Sequence, residues 1–211
     1  MAAITISRQF GAGGRSLGER LCERFGFHLV DEFAIDEIAR KAKVSGDWLT
    51  AMEKEASSTL LGLLSGIVSH GLLYRNPAAP DKEFERKKYI DFLRRLMVRM
   101  ANEGGYVLLG RGAQFVLHKH PKAFHILLVA EHEDRVNFMV KRYALSEDEA
   151  EKIIKEKEGQ RAAVATNIFG AEIDDPKLYH LVLNMSLMPF DWAVETAGDF
   201  FVRFRKNLGE I

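Results

Sequence analysis

The sequence has almost no cysteine. Cys22 is the only one in 211 residues, which excludes an internal disulfide framework and any cysteine-rich metal site. It falls on the apolar side of a helical pattern, where inert packing is expected rather than reactivity. Charge of one sign is also lacking, since 30 Lys and Arg balance 30 Asp and Glu. Nothing therefore favours wrapping of nucleic acid or adsorption to an anionic membrane, and any bound anion must be held by a local cluster of donors. Long hydrophobic runs are missing too. The most apolar stretch, Leu60 to Leu73, is too short to span a bilayer and is interrupted by Ser65, Ser69 and His70. The N-terminus has no basic region before an apolar run, which argues against a signal peptide and makes a cytoplasmic protein the expectation. There is no fixed-period repeat and no low-complexity segment. What is present is an ordinary globular balance, 47% apolar and 28% charged, which argues against widespread disorder. The length suits one well-packed domain with a lid or a small inserted subdomain.

The organising stretch is Ile4 to Phe25, ITISRQFGAGGRSLGERLCERF. It reads as a short strand, a glycine-rich turn and an amphipathic helix. Gly11, Gly13 and Gly14 let the backbone turn sharply and approach a ligand closely, because no Cβ intervenes. The free N–H groups of a helix start and the positive end of its dipole make such a turn an anion site.

The rest of the chain alternates between strand and helix patterns. Leu17, Leu21, Cys22 and Phe25 form one helical face, with Gly26 as its stop. Phe27 to Val30 is a second strand, so the first thirty residues read as a βαβ unit and predict a parallel sheet. From Phe33 to about Gly104 the pattern is helical: a stripe of Ile35, Ile38, Ala39 and Ala42, a second stretch from Asp47 through Leu60 to Leu64, and a third from Phe84 to Met100. The loop Asn76 to Asp81 precedes the third. Strands are predicted over Tyr106 to Leu109, Phe124 to Val129 and Leu181 to Leu183. A helix from about His132 places Val136, Met139, Val140 and Tyr143 on one side. Ser146 and Glu149 have the capping-box form that opens another helix. Asn167 to Pro176 reads as a loop or flap, and Pro189 starts a last helix. Five short strands separated by helices make a three-layer α/β fold.

In an open parallel sheet, ligands sit beyond the C-terminal ends of the strands. The polar groups there are Arg8 with the glycine turn, Asp31, Arg111, Glu131 with Arg135, and Asn184. Two arginines and a glycine-rich helix start at one edge form an anion clamp, because guanidinium forks suit phosphate oxygens. The P-loop pattern GxxxxGK[ST] is not matched: Gly14 stands where its lysine would be, and Ser7-Arg8 where its opening glycine falls. The dinucleotide pattern GxGxxG fails at Ser16, although Asp31 lies at about the distance of a ribose-binding acid. HExxH, GxSxG and paired-cysteine motifs do not occur. His28, His118, His120, His125 and His180 lack ligand spacing and are expected to be structural.

On these residues the chain resembles the cytidylate kinase-like family of P-loop proteins, relatives of the nucleoside monophosphate kinases. ITISRQFGAGGRSLGERLCERFGFHLVD is similar to that family's opening, in which a serine-arginine pair precedes a lysine-free glycine loop. GRGAQFVL resembles the segment after the third strand. LSEDEAEKIIKEKEGQR and DDPKLYHLVLN resemble the lid helix and final strand. The resemblance spans most of the chain and is weakest from about Ser45 to Lys87. It implies a P-loop kinase-like fold in a single domain over residues 1–211, with a parallel sheet of about five strands flanked by helices. A helical insertion over 32–104 would include the acceptor-binding region, and a lid would occupy 142–178.

The resemblance also implies roles. Gly11, Ala12, Gly13, Gly14, Arg15 and Ser16 would wrap the phosphates of ATP or another nucleoside triphosphate, with Ser16 facing Mg²⁺. Asp31 and Arg111 would hold the acceptor. Arg142 and Arg161 would neutralise charge from the lid, where Glu158 to Arg161 keeps the family's acid-before-arginine pattern. Arg8 belongs to the variant loop, and Arg8 or Arg15 is the candidate replacement for the absent lysine. The first functional expectation is an ATP- and Mg²⁺-dependent phosphotransferase acting on a nucleoside monophosphate, CMP-like, or a similar small phosphate acceptor. The second, motivated by the absent lysine, is a nucleotide-binding regulatory module with little or no catalysis. A dinucleotide-dependent oxidoreductase is a third. The expected partner is a small-molecule nucleotide rather than nucleic acid or membrane, and the helical insertion could carry a homodimer contact.

Overall fold

The computed structural model describes residues 1–31, 33–35, 38 and 83–211. The chain divides into two compact units, one made of Met1–Leu29 with Met97–Ile211 and the other of Val30–Leu96.

In chain order the described elements are β1 (Ala3–Arg8), α1 (Gly14–Phe25), β2 (His28–Val30), α2 (Glu83–Glu103), β3 (Tyr106–Leu109), α3 (Ala113–Val116) and β4 (Ala123–Val129). They continue with α4 (His132–Tyr143), α5 (Glu147–Val164), β5 (Leu181–Asn184) and α6 (Phe190–Asn207). The strands form one five-stranded sheet in the order β2-β3-β1-β4-β5. β1 runs parallel to both β3 and β4, and β4 runs parallel to β5. This is the predicted α/β class, a P-loop kinase-like fold with helices flanking a parallel sheet.

Central position explains the composition of β1. A strand paired on both edges and covered on both faces reads as a continuous apolar run, and Ala3, Ile4 and Ile6 are fully buried. Thr5, a buried polar residue within it, is satisfied by the opposite residue of β4: its Oγ1 lies 2.7 Å from Nδ1 of His125. The other ring nitrogen of His125, Nε2, lies 3.2 Å from the Leu117 carbonyl, which can only accept. Nε2 therefore carries the proton, and Thr5 donates to Nδ1. On one face of the sheet, Leu17 and Leu21 of α1 join Phe201 of α6 in the core. Phe201 meets Phe25 and Phe27 edge-on, with ring centroids 5.1 and 5.7 Å away, the arrangement that aromatic quadrupoles favour.

Several boundaries moved by one residue. β1 includes Arg8, β4 starts at Ala123, β2 omits Phe27 and β5 includes Asn184. Gly26 ends α1 in the left-handed conformation at φ 67°, and both hydrogen bonds of the Ser146–Glu149 capping box are present. Two expectations need correction. Asn167 to Phe169 is not loop but the end of a π-helical turn, Ala165–Phe169, that continues α5; the backbone bonding simply runs on past Val164 with a wider ring. Tyr143 is not on the covered side of α4 but exposed at the helix end, where the chain leaves through left-handed Ala144.

In the second unit, Val30, Ala34, Ile35 and Ile38 are buried, as are Phe92, Leu93 and Leu96. The expected stripe thus holds at Ile35 and Ile38. Ala39 and Ala42, the stretch from Asp47 through Leu64 and the loop Asn76 to Asp81 lie outside the described residues, and most of the surface invoked for a homodimer contact lies there with them. Among the described residues, no helix is long and apolar enough to cross a membrane.

Candidate functional site

The site begins where β1 ends. Gln9 fastens the glycine loop to the neighbouring strand: its backbone N–H donates to Leu128 and its side-chain Oε1 accepts from the Ala130 N–H, both at 2.9 Å. The loop then turns through Gly11 at φ 92° and Gly13 at φ 82°. Gly13 is the N-cap of α1 and offers no side chain to its first N–H groups. A helix start without a side-chain cap leaves those donors for a ligand. Gly11 is also a point of close approach, since a Cβ there would lie 2.9 Å from both Cβ and the carbonyl oxygen of Arg135.

Arg8 lies across this turn. A Cβ on Gly14 would come within 2.8 Å of Arg8 Cγ, and one on Gly110 within 2.5 Å of Arg8 Nη1. The stem of Arg8 therefore follows the first residue of α1, and its guanidinium rests on the loop after β3. That loop is unusual. Gly110, Arg111 and Gly112 are all left-handed, at φ 80°, 53° and 71°. For Arg111, a residue with a Cβ, this costs roughly 1 kcal/mol or more, and such strain is held where the surroundings enforce it. Phe169, at the end of the π-helical turn, closes over Gly112 and stacks on Phe115 with centroids 4.8 Å apart.

From the other side α4 and α5 bring two more arginines. Arg135, largely buried, donates from Nε to the Ala130 carbonyl at 3.1 Å and from Nη1 to the Phe10 carbonyl at 3.4 Å. Arg161 holds both oxygens of Glu158 at 2.9 and 2.7 Å and donates to Asp174 Oδ1 at 2.6 Å. Glu158 in turn accepts from the backbone N–H of Phe10. Behind them Tyr179 is drawn in. Burial pushes its hydroxyl pKa up, against the opposing influence of the Ser7 side chain.

The structure thus gathers the glycine loop (Gly11, Ala12, Gly13, Gly14), Arg8, Arg111 and Arg161 in the first unit, together with Arg135. It does not gather every candidate. Arg15 is 55% exposed on α1 and pairs with Glu19 at 3.0 Å. Arg142 is exposed in the last turn of α4. Asn184 and Glu131 hold the turn after β5: Asn184 Oδ1 accepts from the Ser186 N–H and Ser186 Oγ from the Glu131 N–H. Asp31 belongs to the second unit, where its Oδ1 accepts from the Ala34 N–H at 2.9 Å. Asp174 and Tyr179 escaped sequence reasoning. Their only signal is the charged and aromatic content of DDPKLYHLVLN, a pattern that by itself predicts flap and strand.

Among the described residues no three His, Cys, Asp or Glu side chains cluster as metal ligands. Mg²⁺ needs few protein ligands when it arrives on phosphate oxygens, and the Ser16 hydroxyl, half-buried in the first turn of α1, fits that limited role.

A family model described as the cytidylate kinase-like family matches residues 3–187. A cytidylate kinase from Pyrococcus horikoshii is 26% identical over 183 residues, covering 87% of this chain and 79% of that protein. Among solved structures, an uncharacterised protein from Eubacterium ventriosum superposes with a TM-score of 0.65 at 16% identity, covering 97% of this chain and 98% of that one. A gluconokinase from Sinorhizobium meliloti reaches a TM-score of 0.52 at 13% identity, covering 98% and 95%. At these identities the structural likeness concerns the fold.

Proposed function

The chain belongs to the cytidylate kinase-like family, and from that premise we propose that it is an ATP- and Mg²⁺-dependent phosphotransferase whose acceptor is a nucleoside monophosphate of the CMP type or a similar small phosphate. The observation that carries this reading is the contact between two loops. Arg8, at the mouth of the glycine loop, rests its guanidinium on Gly110, next to Arg111. A donor phosphate on the N-terminus of α1 and an acceptor phosphate on Arg111 would then meet across one side chain. The P. horikoshii relative, a cytidylate kinase by its description, supports a pyrimidine monophosphate as the acceptor.

In the transfer, a phosphate oxygen of the acceptor forms a bond to the γ-phosphorus. The bond from that phosphorus to the bridging oxygen breaks, and its electron pair leaves with the nucleoside diphosphate. Such a reaction asks the protein for position and charge rather than covalent chemistry. Gly11 to Ser16 would hold the donor through backbone N–H groups, Arg111 the acceptor phosphate, and Arg135 and Arg161 would neutralise charge from the lid side. Ser16 would help to hold Mg²⁺ that arrives with the donor, and the ion would supply further charge neutralisation.

The test is ATP-dependent phosphorylation of a panel of nucleoside monophosphates. Steady transfer that Arg111→Ala reduces by about tenfold or more is expected; no transfer to any acceptor sinks the reading. A second reading, a nucleotide-binding module with little turnover, draws on one contact: the Glu158 carboxylate already occupies the Phe10 N–H and Arg161. Multiple turnovers would eliminate it.

A further inference from the structure

Three departures from the GxxxxGK[ST] loop occur together in this chain. Where that pattern opens with glycine stands Arg8, where it carries lysine stands Gly14, and where it carries serine or threonine stands Arg15. In space the first two of these positions touch. Arg8 Cγ, Cβ and Cδ would lie 2.8, 3.1 and 3.2 Å from a Cβ on Gly14, the first a distance that real side chains avoid and the others tight. The stem of Arg8 thus occupies the room in which a side chain at position 14 would begin. Beyond the stem, the guanidinium passes over Gly110, itself held at φ 80°, with Arg8 Nη1 2.5 Å from where its Cβ would be. The other candidate for the missing charge, Arg15, is 55% exposed and pairs with Glu19 at 3.0 Å.

We propose that Arg8 is the phosphate-contacting cation of the donor site, delivering from the end of β1 the charge that a lysine at position 14 delivers in the common loop, and that Gly14 and Gly110 are glycine because its side chain passes over them. The loop has then exchanged the two positions, cation for glycine and glycine for cation, and kept one positive charge at the phosphates. Arg8 makes and breaks no covalent bond. Its N–H groups donate to phosphate oxygens while the electron pair leaves with the diphosphate, and no proton leaves the guanidinium. The fork also reaches the loop that presents Arg111, which a lysine rooted on α1 would not be required to do. The inference rests on the functional reading above as to which anion is bound, and its test separates the two.

The experiment compares wild type with Arg8→Ala, Gly14→Lys and the exchange variant Arg8→Gly/Gly14→Lys, each checked for folding by circular dichroism. Thermal stabilisation by ATP and by ADP is read alongside turnover. Arg8→Ala is expected to weaken ATP binding at least tenfold while changing ADP binding far less, and to lower kcat on the order of 10³-fold, the scale of a transition-state arginine. Gly14→Lys places two stems in one space, and is expected to be as impaired as Arg8→Ala or to lose stability. The exchange variant is expected to recover at least tenfold over either single variant in ATP binding or turnover. Arg8→Ala with wild-type ATP preference and turnover overturns the proposal, as does an exchange variant no better than Gly14→Lys. Should Gly14→Lys not fold, the Arg8→Ala and Arg8→Lys pair decides, with Arg8→Lys expected to lie between wild type and Arg8→Ala. If wild type binds ATP but transfers no phosphate, the functional reading fails while the ATP-over-ADP difference still decides the role of Arg8.

Discussion

Glu158 of α5 accepts a hydrogen bond from the backbone N–H of Phe10, 148 residues earlier in the chain. The same oxygen receives Arg161 Nη1 at 2.9 Å and lies 3.9 Å from Arg135 Nη1. One carboxylate therefore holds together the glycine loop, the C-terminal half of α5 and the arginine of α4. Removing either Glu158 or Arg161 leaves a largely buried charge short of its partner, so their effects must overlap. A double-mutant cycle on Glu158→Ala and Arg161→Ala, read by urea unfolding, is expected to show a coupling of about 1–3 kcal/mol. Additive effects would mean that the pair is solvated and idle.

Gly11 is held at φ 92° with Arg135 against it. Gly11→Ala adds a Cβ where both the backbone conformation and the space oppose it. A stability loss of about 1–3 kcal/mol is expected, with ATP-dependent thermal stabilisation reduced by more than the stability loss alone would cause. A variant as stable and as responsive to ATP as wild type would contradict the tight contact.

His125 is buried between β1 and the Leu117 carbonyl, and burial first, then the neighbouring His180, lowers its pKa to about 4. Its unfolded value is higher, near 6.5, so below that pH the unfolded chain takes up a proton that the folded one refuses. Stability contributed by the neutral ring is complete above about pH 6.5 and is lost as pH falls towards 4, by about 3 kcal/mol in all. Urea unfolding across this window should show the slope in wild type and a flatter one in His125→Gln. Equal slopes would move the acid sensitivity to other groups.

Burial, reinforced by Glu19 and Glu23, pushes the Cys22 thiol up to about 12. Thiolate is the reactive form, so the native protein should react with a thiol reagent at pH 8 at least 10²-fold more slowly than the same chain in denaturant. Fast labelling of the folded protein would show that Cys22 is not packed as described.

Much of the architecture was legible because it is written locally. A buried parallel strand reads as a nearly continuous apolar run, as Phe124 to Val129 does, and the shorter strands at Ile4, Tyr106 and Leu181 were visible between the helical patterns. The Ser146 capping box joins residues three apart, so its two bonds follow from spacing alone. The turn chemistry of Gly11 and Gly13 was likewise readable, because only glycine adopts positive φ without steric cost. The resemblance to the cytidylate kinase-like family was carried by those same segments. What the local pattern could not contain is which segments meet. The order β2-β3-β1-β4-β5, the bond from Glu158 to Phe10 and the stack of Phe169 on Phe115 each join residues tens to more than a hundred positions apart. Sequence alone showed that Gly14 replaces a lysine, and it named Arg8 and Arg15 as equal substitutes. Tertiary packing places them differently: parallel pairing of β1 with β3 sets the Gly110 loop beside the end of β1, so the Arg8 side chain runs past Gly14 and Gly110, while Arg15 is 55% exposed and pairs with Glu19.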